Sequence, residues 1–273
     1  ALAECLSAEA AVFASSPNNI LALEYCIALQ ERNSSMSILP IKREGGGYHD
    51  TGLDKSVFAS ATAIRELLEK TIENENTCNN SLLSTELKDH LPEAVYSILV
   101  EKENKYITQN DFSSLLHYKL LTEDNSSFAK YADVAEDLSD KIHKNLRHYS
   151  DYTGFCELLK SKELTYSRIN RALTHILLNI TQEMYEDAKT NDYAGYARIL
   201  GFRKESAPLL SELGKKTTIP LISKLADSSK ILNEHELQNL EHDIFCSHVY
   251  ESIVAAKSDN AMRNEYQREI IRL

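Results

Sequence analysis

One short segment near the start of the chain combines side chains and backbone positions that suit the binding of phosphate. In the run Ser60-Ala-Thr-Ala-Ile-Arg65, Ser60 or Thr62 lies where the N-cap of a helix is expected, and Arg65 follows closely. Free N–H groups and the helix dipole attract anions at such an end, so these residues form a candidate anion site. A hydroxyl at this position also serves as a plain helix cap, which is the commoner role.

Two further positions have side chains that could contact a nucleotide. Arg43 belongs to a basic pair that follows the predicted strand 36–41, and open α/β folds bind their ligands at such strand ends. Asn18 lies at the predicted start of a helix over residues 17–31, where its amide could recognise a ribose or an adenine edge. For Asn18, too, a plain capping role is the commoner one.

The sequence contains no signature of a catalytic nucleophile or of a resident metal. The motifs G-x-S-x-G and H-E-x-x-H are absent, and no G-K-[ST] follows the triple glycine at 45–47. The five cysteines are scattered without a C-x-x-C, and the nine histidines lack the i, i+4 spacing of a helical metal pair. We therefore assign no catalytic residue and no metal ligand, and the unpaired thiols indicate a reducing cytoplasm.

The elements that must position these side chains are predicted to be mainly helical. The strongest pattern covers residues 165–180, where Ile169, Leu173 and Ile176 follow the stripe of a buried helix face. Strands are predicted only at 36–41 and within 217–223. Helices are predicted at 2–14, 17–31, 60–72, 84–103, 110–122, 133–149, 151–161, 165–180, 182–189, 193–200, 204–214 and 233–256.

A polar stretch over residues 73–81 has the composition of a linker and divides two kinds of pattern. The order helix–helix–strand–loop–helix before it is typical of an open α/β layer, whereas the pattern after it is helical. The sequence therefore predicts a mainly α protein in which residues 1–72 are the C-terminal part of an α/β domain and residues 82–273 form a helical domain. Since only one strand is visible before the linker and the chain begins without Met, we expect a fragment of a longer protein.

Charge is distributed unevenly along the chain. The net charge of −11 opposes nucleic-acid affinity over the whole surface, but residues 141–230 carry fifteen Lys and Arg against ten Asp and Glu. Tyrosines in this segment could stack on unpaired bases, although solvated basic faces with tyrosines in the core are the commoner arrangement. The candidate phosphate contacts are Lys162, Arg168, Arg171, Lys204, Lys215 and Lys216.

Arg168 and Arg171 lie three residues apart and so share one face of the predicted helix 165–180. They either contact phosphate or form structural bridges to acids such as Glu163. No apolar run approaches the roughly 18 residues of a membrane span, so a membrane is not expected among the partners.

Taken together, several short motifs resemble the bacterial tRNA(Met) cytidine acetate ligase family. Each motif alone is modest, but they occur in order and with consistent spacing over nearly the whole chain. The matching motifs are P-N-N-I-L-A-x-E-Y at 17–25, I-K-R at 41–43, Y-H-D at 48–50, A-S-A-T-A-I-R at 59–65, L-L-K-S-K-E-L-T-Y-S-R-I-N-R at 158–171, R-I-L-G-F at 198–202 and I-P-L-I-S-K-L at 219–225.

The resemblance implies a Rossmann-like nucleotidyltransferase domain, ending near residue 72, and a tRNA-binding helical domain over 82–273. It also implies that ATP, expected with Mg²⁺, activates acetate as acetyl-adenylate, and that the acetyl group passes to N4 of the wobble cytidine of elongator tRNA(Met). Asn18 and Arg43 match positions that contact ATP in the family, and Glu44 beside them stands where the family often has an apolar residue. The run 60–65 is similar to the second nucleotide motif.

The chain also departs from the family. Its first nucleotide motif, N-P-F-H-x-G-H, whose histidines face the phosphates, is absent from the 273 residues. The chain alone is therefore expected to be inactive. Two alternatives stay open: another adenylyl-transferring nucleotidyltransferase with a different acceptor, and a non-enzymatic RNA-binding helical module.

Overall fold

The computed structural model describes residues 7–14, 16–41, 59–73, 87–101, 106–123 and 127–273, and most of these residues are helical. The chain divides into two compact units, residues 1–104 and residues 105–273. The first unit contains the helices α1 (Ala8–Phe13), α2 (Pro17–Glu31), α3 (Ala61–Glu73) and α4 (Glu93–Glu101). The second contains the helices α5 (Ser113–Thr122), α6 (Glu136–Asn145), α7 (Tyr152–Leu159), α8 (Tyr166–Leu177), α9 (Gln182–Thr190), α10 (Ala207–Lys216), α11 (Ser228–Ile231) and α12 (Glu234–Ser258), and the strands β1 (Ala197–Arg198), β2 (Gly201–Phe202), β3 (Leu221–Ile222) and β4 (Ile271–Arg272).

The core of the second unit lies between the helices α5, α6, α7 and α8. Ile169, Leu173 and Ile176 on α8 are fully buried, which confirms the stripe predicted for this helix. They pack in one cluster with fully buried side chains such as Phe155 on α7 and Leu138 on α6. Because the apolar face of α8 is covered in this way, its opposite face is left for charged residues.

A smaller layer follows this core in the chain. The strand β1 pairs in parallel with β3, and β2 pairs in parallel with β4. Leu240 and Ile244 on α12 pack with Ile222 of β3 in a second apolar cluster. The strand expected within 217–223 is therefore confirmed over Leu221–Ile222.

Three of the predicted elements differ from the structure. The helix expected at 84–103 is interrupted at residues 89–92, and α4 begins only at Glu93. The helix expected at 193–200 is replaced by a turn and the strand β1, because Asp192 and Tyr193 have left-handed φ angles of 61° and 63° that end the preceding helical turn. The strand expected at 36–41 is irregular. A strand needs a hydrogen-bonded neighbour, and none of the described residues pairs with this segment.

No helix among the described residues is both long and apolar enough to cross a bilayer. The assignment of residues 1–72 and 82–273 to two functional domains stays a prediction.

Candidate functional site

Ser60 immediately precedes the helix α3. Its Oγ accepts a hydrogen bond from the backbone N–H of Ala63 at 3.0 Å, and its carbonyl accepts one from Ile64 at 3.1 Å. The residue is buried, with 2% of its surface exposed, and Thr62 is half-buried in the first turn. The hydroxyl of Ser60 therefore caps the helix, and a role for Ser60 or Thr62 in ligand binding stays a prediction.

Arg65 adds a cation to the same end of α3. Its side chain is exposed, and its Nε donates to the carbonyl oxygen of Ala61 at 3.0 Å. This bond uses one of the five N–H donors of the guanidinium. The first turn contains no acidic residue, so the positive end of the helix dipole and the guanidinium lie close together without a neutralising carboxylate from that turn. This arrangement suits a phosphate group.

The other predicted nucleotide contacts are Asn18, Arg43 and Glu44. Asn18 is exposed at the second residue of α2, and Ser16 rather than Asn18 occupies the N-cap position. Its neighbour Asn19 donates from Nδ2 to the carbonyl of Phe13 at 3.0 Å. The capping role considered for Asn18 is therefore wrong, whereas its contact with a nucleotide stays a prediction. Arg43 and Glu44 lie outside the described residues.

On the second unit, Arg171 is paired with Asp133. The guanidinium donates from Nε to Oδ2 at 2.6 Å and from Nη2 to Oδ1 at 3.3 Å. The hydrogen bonds from Arg171 lower the pKa of the Asp133 carboxyl, and the charges of Arg171, His175 and Arg168 act in the same direction. Asp133 is therefore ionised at neutral pH, and it raises the pKa of Arg171 in return.

Arg168 lies one turn before Arg171 on α8, and both side chains are exposed. Lys162 is also exposed, in the segment that precedes the helix. The N-cap Thr165 accepts a hydrogen bond from the backbone N–H of Arg168. The shared face predicted for the two arginines is thus present, and it points away from the buried stripe of α8.

The remaining predicted phosphate contacts lie on other elements. Lys215 and Lys216 belong to the last turn of α10, and both are paired with Glu212, at 3.2 Å and 3.7 Å. Lys204 is exposed in the turn before α10, where its backbone N–H donates to the carbonyl of Leu273. Lys204 therefore lies beside β4 and the other two lysines lie on α10, whereas Arg168 and Arg171 lie on α8 of the helical core.

The tyrosines of the basic segment mostly belong to the core. Tyr152 is 3% exposed and donates to the carbonyl of Asn170 or to Thr174, and Tyr149 packs against the same core cluster. Tyr185 on α9 is an exposed aromatic side chain that lies near Arg171. Sequence reasoning did not select Tyr185, because it lies in an acidic helix.

Asp133 is the other residue that sequence reasoning missed. It precedes Arg171 by 38 residues and has a left-handed φ of 61°. Asp is one of the few residue types that tolerate this conformation, but the sequence shows neither the turn nor its distant partner. The sequence suggested structural bridges from the arginines to acids such as Glu163. In the structure, the acid that binds Arg171 is Asp133.

The described residues provide neither a metal site nor a reactive thiol at Cys156. No three His, Cys, Asp or Glu side chains of the described part of the chain gather in a way that could hold a metal ion. Burial raises the pKa of the Cys156 thiol to about 12, so this group stays protonated at neutral pH and is a poor nucleophile.

Residues 1–266 match the protein family described as HIGH Nucleotidyl Transferase. The tRNA(Met) cytidine acetate ligase of Bacillus cereus is 34% identical over 221 residues, which cover 80% of this chain and 54% of that protein. The ligase of the same name from Bacillus mycoides is 34% identical over 212 residues, which cover 77% of this chain and 52% of that protein. The chain thus spans about half the length of the curated relatives it matches.

Two solved structures have a fold similar to that of this chain. The apo crystal structure of Thermotoga maritima TmcAL matches with a TM-score of 0.82 at 24% identity, covering 97% of this chain and 62% of that one. The same protein bound with alpha-thio ATP matches with a TM-score of 0.79 at 25% identity, covering 97% of this chain and 61% of that one.

Proposed function

Because the chain belongs to the HIGH nucleotidyl transferase family, we propose that it forms part of an ATP-dependent ligase acting on elongator tRNA(Met). The ligase activates acetate as acetyl-adenylate and transfers the acetyl group to N4 of the wobble cytidine, in the cytoplasm. The observation that carries the proposal is the 34% identity over 221 residues with curated tRNA(Met) cytidine acetate ligases. Since the chain spans about half of those proteins, their activity, substrates and partners are proposed for it rather than assigned.

The first unit is proposed to bind ATP, expected with Mg²⁺, for which no protein ligand is assigned. The related TmcAL was crystallised with alpha-thio ATP, which supports a nucleotide as the ligand. The formation of an adenylate develops negative charge on the α-phosphate and on the departing pyrophosphate. The N-terminus of α3 and Arg65 provide donors for such charge, and Asn18, Arg43 and Glu44 are proposed to complete the contacts.

The chain by itself is proposed to lack ligase activity. The sequence contains no N-P-F-H-x-G-H stretch, and paired histidines of this motif face the phosphates in the family it resembles. The residues present would hold and orient the nucleotide, but the phosphate contacts of those histidines would be missing.

The second unit is proposed to bind tRNA as part of a helical domain over residues 82–273. Arg168 and Arg171 support this role because they share an exposed face of α8. The four other proposed contacts, Lys162, Lys204, Lys215 and Lys216, are exposed as well. Contacts of this kind bind phosphate without reading the base sequence, so they position the tRNA rather than select the cytidine.

The tRNA-binding role is tested with the double variant Arg168→Ala/Arg171→Ala and elongator tRNA(Met) at two salt concentrations. We expect weaker binding and a smaller salt dependence, because each lost phosphate contact lowers the slope of log affinity against log salt by about 0.7–0.9. The matched control is Arg263→Ala/Arg272→Ala, which removes two exposed arginines from the same unit outside the basic segment. Parent affinity and slope in a folded Arg168→Ala/Arg171→Ala variant would move the RNA-binding role elsewhere.

A further inference from the structure

The pairing of Arg171 with Asp133 occupies one particular edge of the guanidinium. The carboxylate accepts from Nε and from Nη2, which is the side edge of the planar group. One N–H of Nη2 and both N–H groups of Nη1 are not used in this pair. The edge between Nη1 and Nη2 therefore keeps two roughly parallel donors, the arrangement that matches two oxygens of a phosphate.

Asp133 is in turn fixed to the end of α8. The preceding Ala132 donates its N–H to the carbonyl of Ile180 at 3.0 Å, and its own carbonyl lies 3.0 Å from Nδ1 of His175. The same Nδ1 lies 3.4 Å from Oδ2 of Asp133. Two backbone groups thus hold the left-handed turn against the helix that contains Arg171, so the carboxylate acts as a fixed support.

The exposure of the two partners shows which of them is available to a ligand. The Arg171 side chain is 58% exposed, whereas that of Asp133 is 34% exposed. An isolated exposed ion pair contributes little to stability. Its larger effect is on the conformation of the arginine, which has many rotamers when it is unpaired.

We infer that Asp133 is a positioning residue for RNA binding, which fixes Arg171 so that the Nη1–Nη2 edge of its guanidinium meets a phosphate of the tRNA backbone. The inference rests on the proposed function, since the tRNA supplies the phosphate. Ordering a long side chain on binding normally costs free energy, and here the ordering is present before the RNA arrives. Arg168, one turn earlier on the same face, supplies a second cation for the same backbone.

The test compares two variants that remove the same charge. Asp133→Asn keeps an acceptor oxygen for Arg171, whereas Asp133→Gly removes the side chain, and both residues accept a left-handed φ. We expect Asp133→Asn to bind elongator tRNA(Met) about three- to tenfold more tightly than Asp133→Gly, the range that corresponds to the ordering of one long side chain. Thermal unfolding checks that each variant is folded, and Asp133→Ser replaces Asp133→Gly if the latter does not fold.

The same pair of variants is then measured with Arg171→Ala in addition. We expect the difference in tRNA affinity between Asp133→Asn and Asp133→Gly to disappear, because Asp133 acts through Arg171. A difference that persists without Arg171, or tighter binding by Asp133→Gly, overturns the inference. If Arg171→Ala weakens binding while the Asn and Gly variants bind alike, the inference is wrong and the tRNA-binding proposal stands. If Arg171→Ala binds as the parent does, or the parent binds no tRNA, the proposed RNA site fails together with the role of Asp133.

Discussion

Glu123 lies among three donors at the end of α5. Lys119 and Lys130 form ion pairs with its carboxylate, and the hydroxyl of Tyr131 donates to it. Burial alone would raise the pKa of this carboxyl, but the three hydrogen bonds outweigh it and lower the pKa from about 4.5 to about 2. Because the folded state holds the ionised form more strongly, Glu123 stabilises the protein above about pH 4.5, and this contribution is lost as the pH falls through about 2.

We therefore predict that Glu123→Gln lowers the free energy of unfolding by about 2–3 kcal/mol at neutral pH. The difference from the parent should shrink between about pH 5 and pH 2, since the parent loses its advantage there. Chemical denaturation at several pH values measures both effects. Glu157→Gln is the matched control, because Glu157 pairs with Lys160 on the surface, where 54% of its side chain is exposed. Parallel pH profiles of Glu123→Gln and the parent would contradict the prediction.

Residue type was enough to predict some positions of the candidate site but not others. The N-cap at Ser60 follows from the preference of hydroxyl side chains for this position, and the structure has that cap. The exposed face shared by Arg168 and Arg171 follows from the helical period. Asp133 could not be predicted, because its contact with Arg171 depends on a turn and on the packing of segments far apart in the sequence.

At the scale of elements, the sequence predicted helices with long apolar stripes correctly. It predicted short elements poorly. The helix α8 has a buried stripe that runs from Ile169 to Ile176, which is far more specific than the two-residue strand β1. The helix α2 also contains many apolar residues, yet none of its residues is buried within the described structure. An apolar pattern therefore predicts that a segment is helical, whereas its burial depends on tertiary packing.

The helix α12 begins with a capping box formed by Asn233 and Glu236. Asn233 accepts from the N–H of Glu236 at 2.9 Å, and the Glu236 carboxylate accepts from the N–H of Asn233 at 3.0 Å. We predict that Asn233→Ala lowers the free energy of unfolding by about 1 kcal/mol, because it leaves an N–H group of the first turn without its acceptor. Chemical denaturation measures this loss.

The control for the cap is Asn233→Asp, which keeps an acceptor oxygen and adds a charge that the helix dipole favours. We expect its stability to equal that of the parent or exceed it slightly. An equal loss in the Ala and Asp variants would mean that the side chain of Asn233 stabilises the protein by contacts other than the cap.

At the scale of the whole molecule, the ordered motifs indicated the family of the protein. They are spread over most of the chain, and the family resemblance that they indicated is confirmed by the match over residues 1–266. The fold is nucleotidyltransferase-like, in agreement with the TM-scores of 0.82 and 0.79 against TmcAL. Composition and net charge alone could not have given this result, since they fit many helical proteins. The roles of the individual site residues were not fixed by the motifs, and they remain proposals.

We expect the reaction to need both these 273 residues and the N-P-F-H-x-G-H motif that they lack. We expect the chain alone to bind elongator tRNA(Met) but to release no AMP when ATP, acetate and this tRNA are all supplied. When the same residues are joined to a segment that contains N-P-F-H-x-G-H, we expect acetate-dependent AMP formation in the presence of elongator tRNA(Met), which is measured directly with labelled ATP.

In that complete protein, Arg43→Ala should lower the rate of AMP formation about tenfold or more, since a charge-assisted hydrogen bond to phosphate contributes about 1.5–3 kcal/mol. Lys88→Ala is the matched control, because Lys88 is an exposed cation of the same unit outside the proposed site. Its rate should equal that of the parent, which separates a specific contact from a general loss of positive charge. An unchanged rate in Arg43→Ala would remove Arg43 from the nucleotide site, and AMP formation by the 273 residues alone would show that the histidine motif is not needed for adenylation.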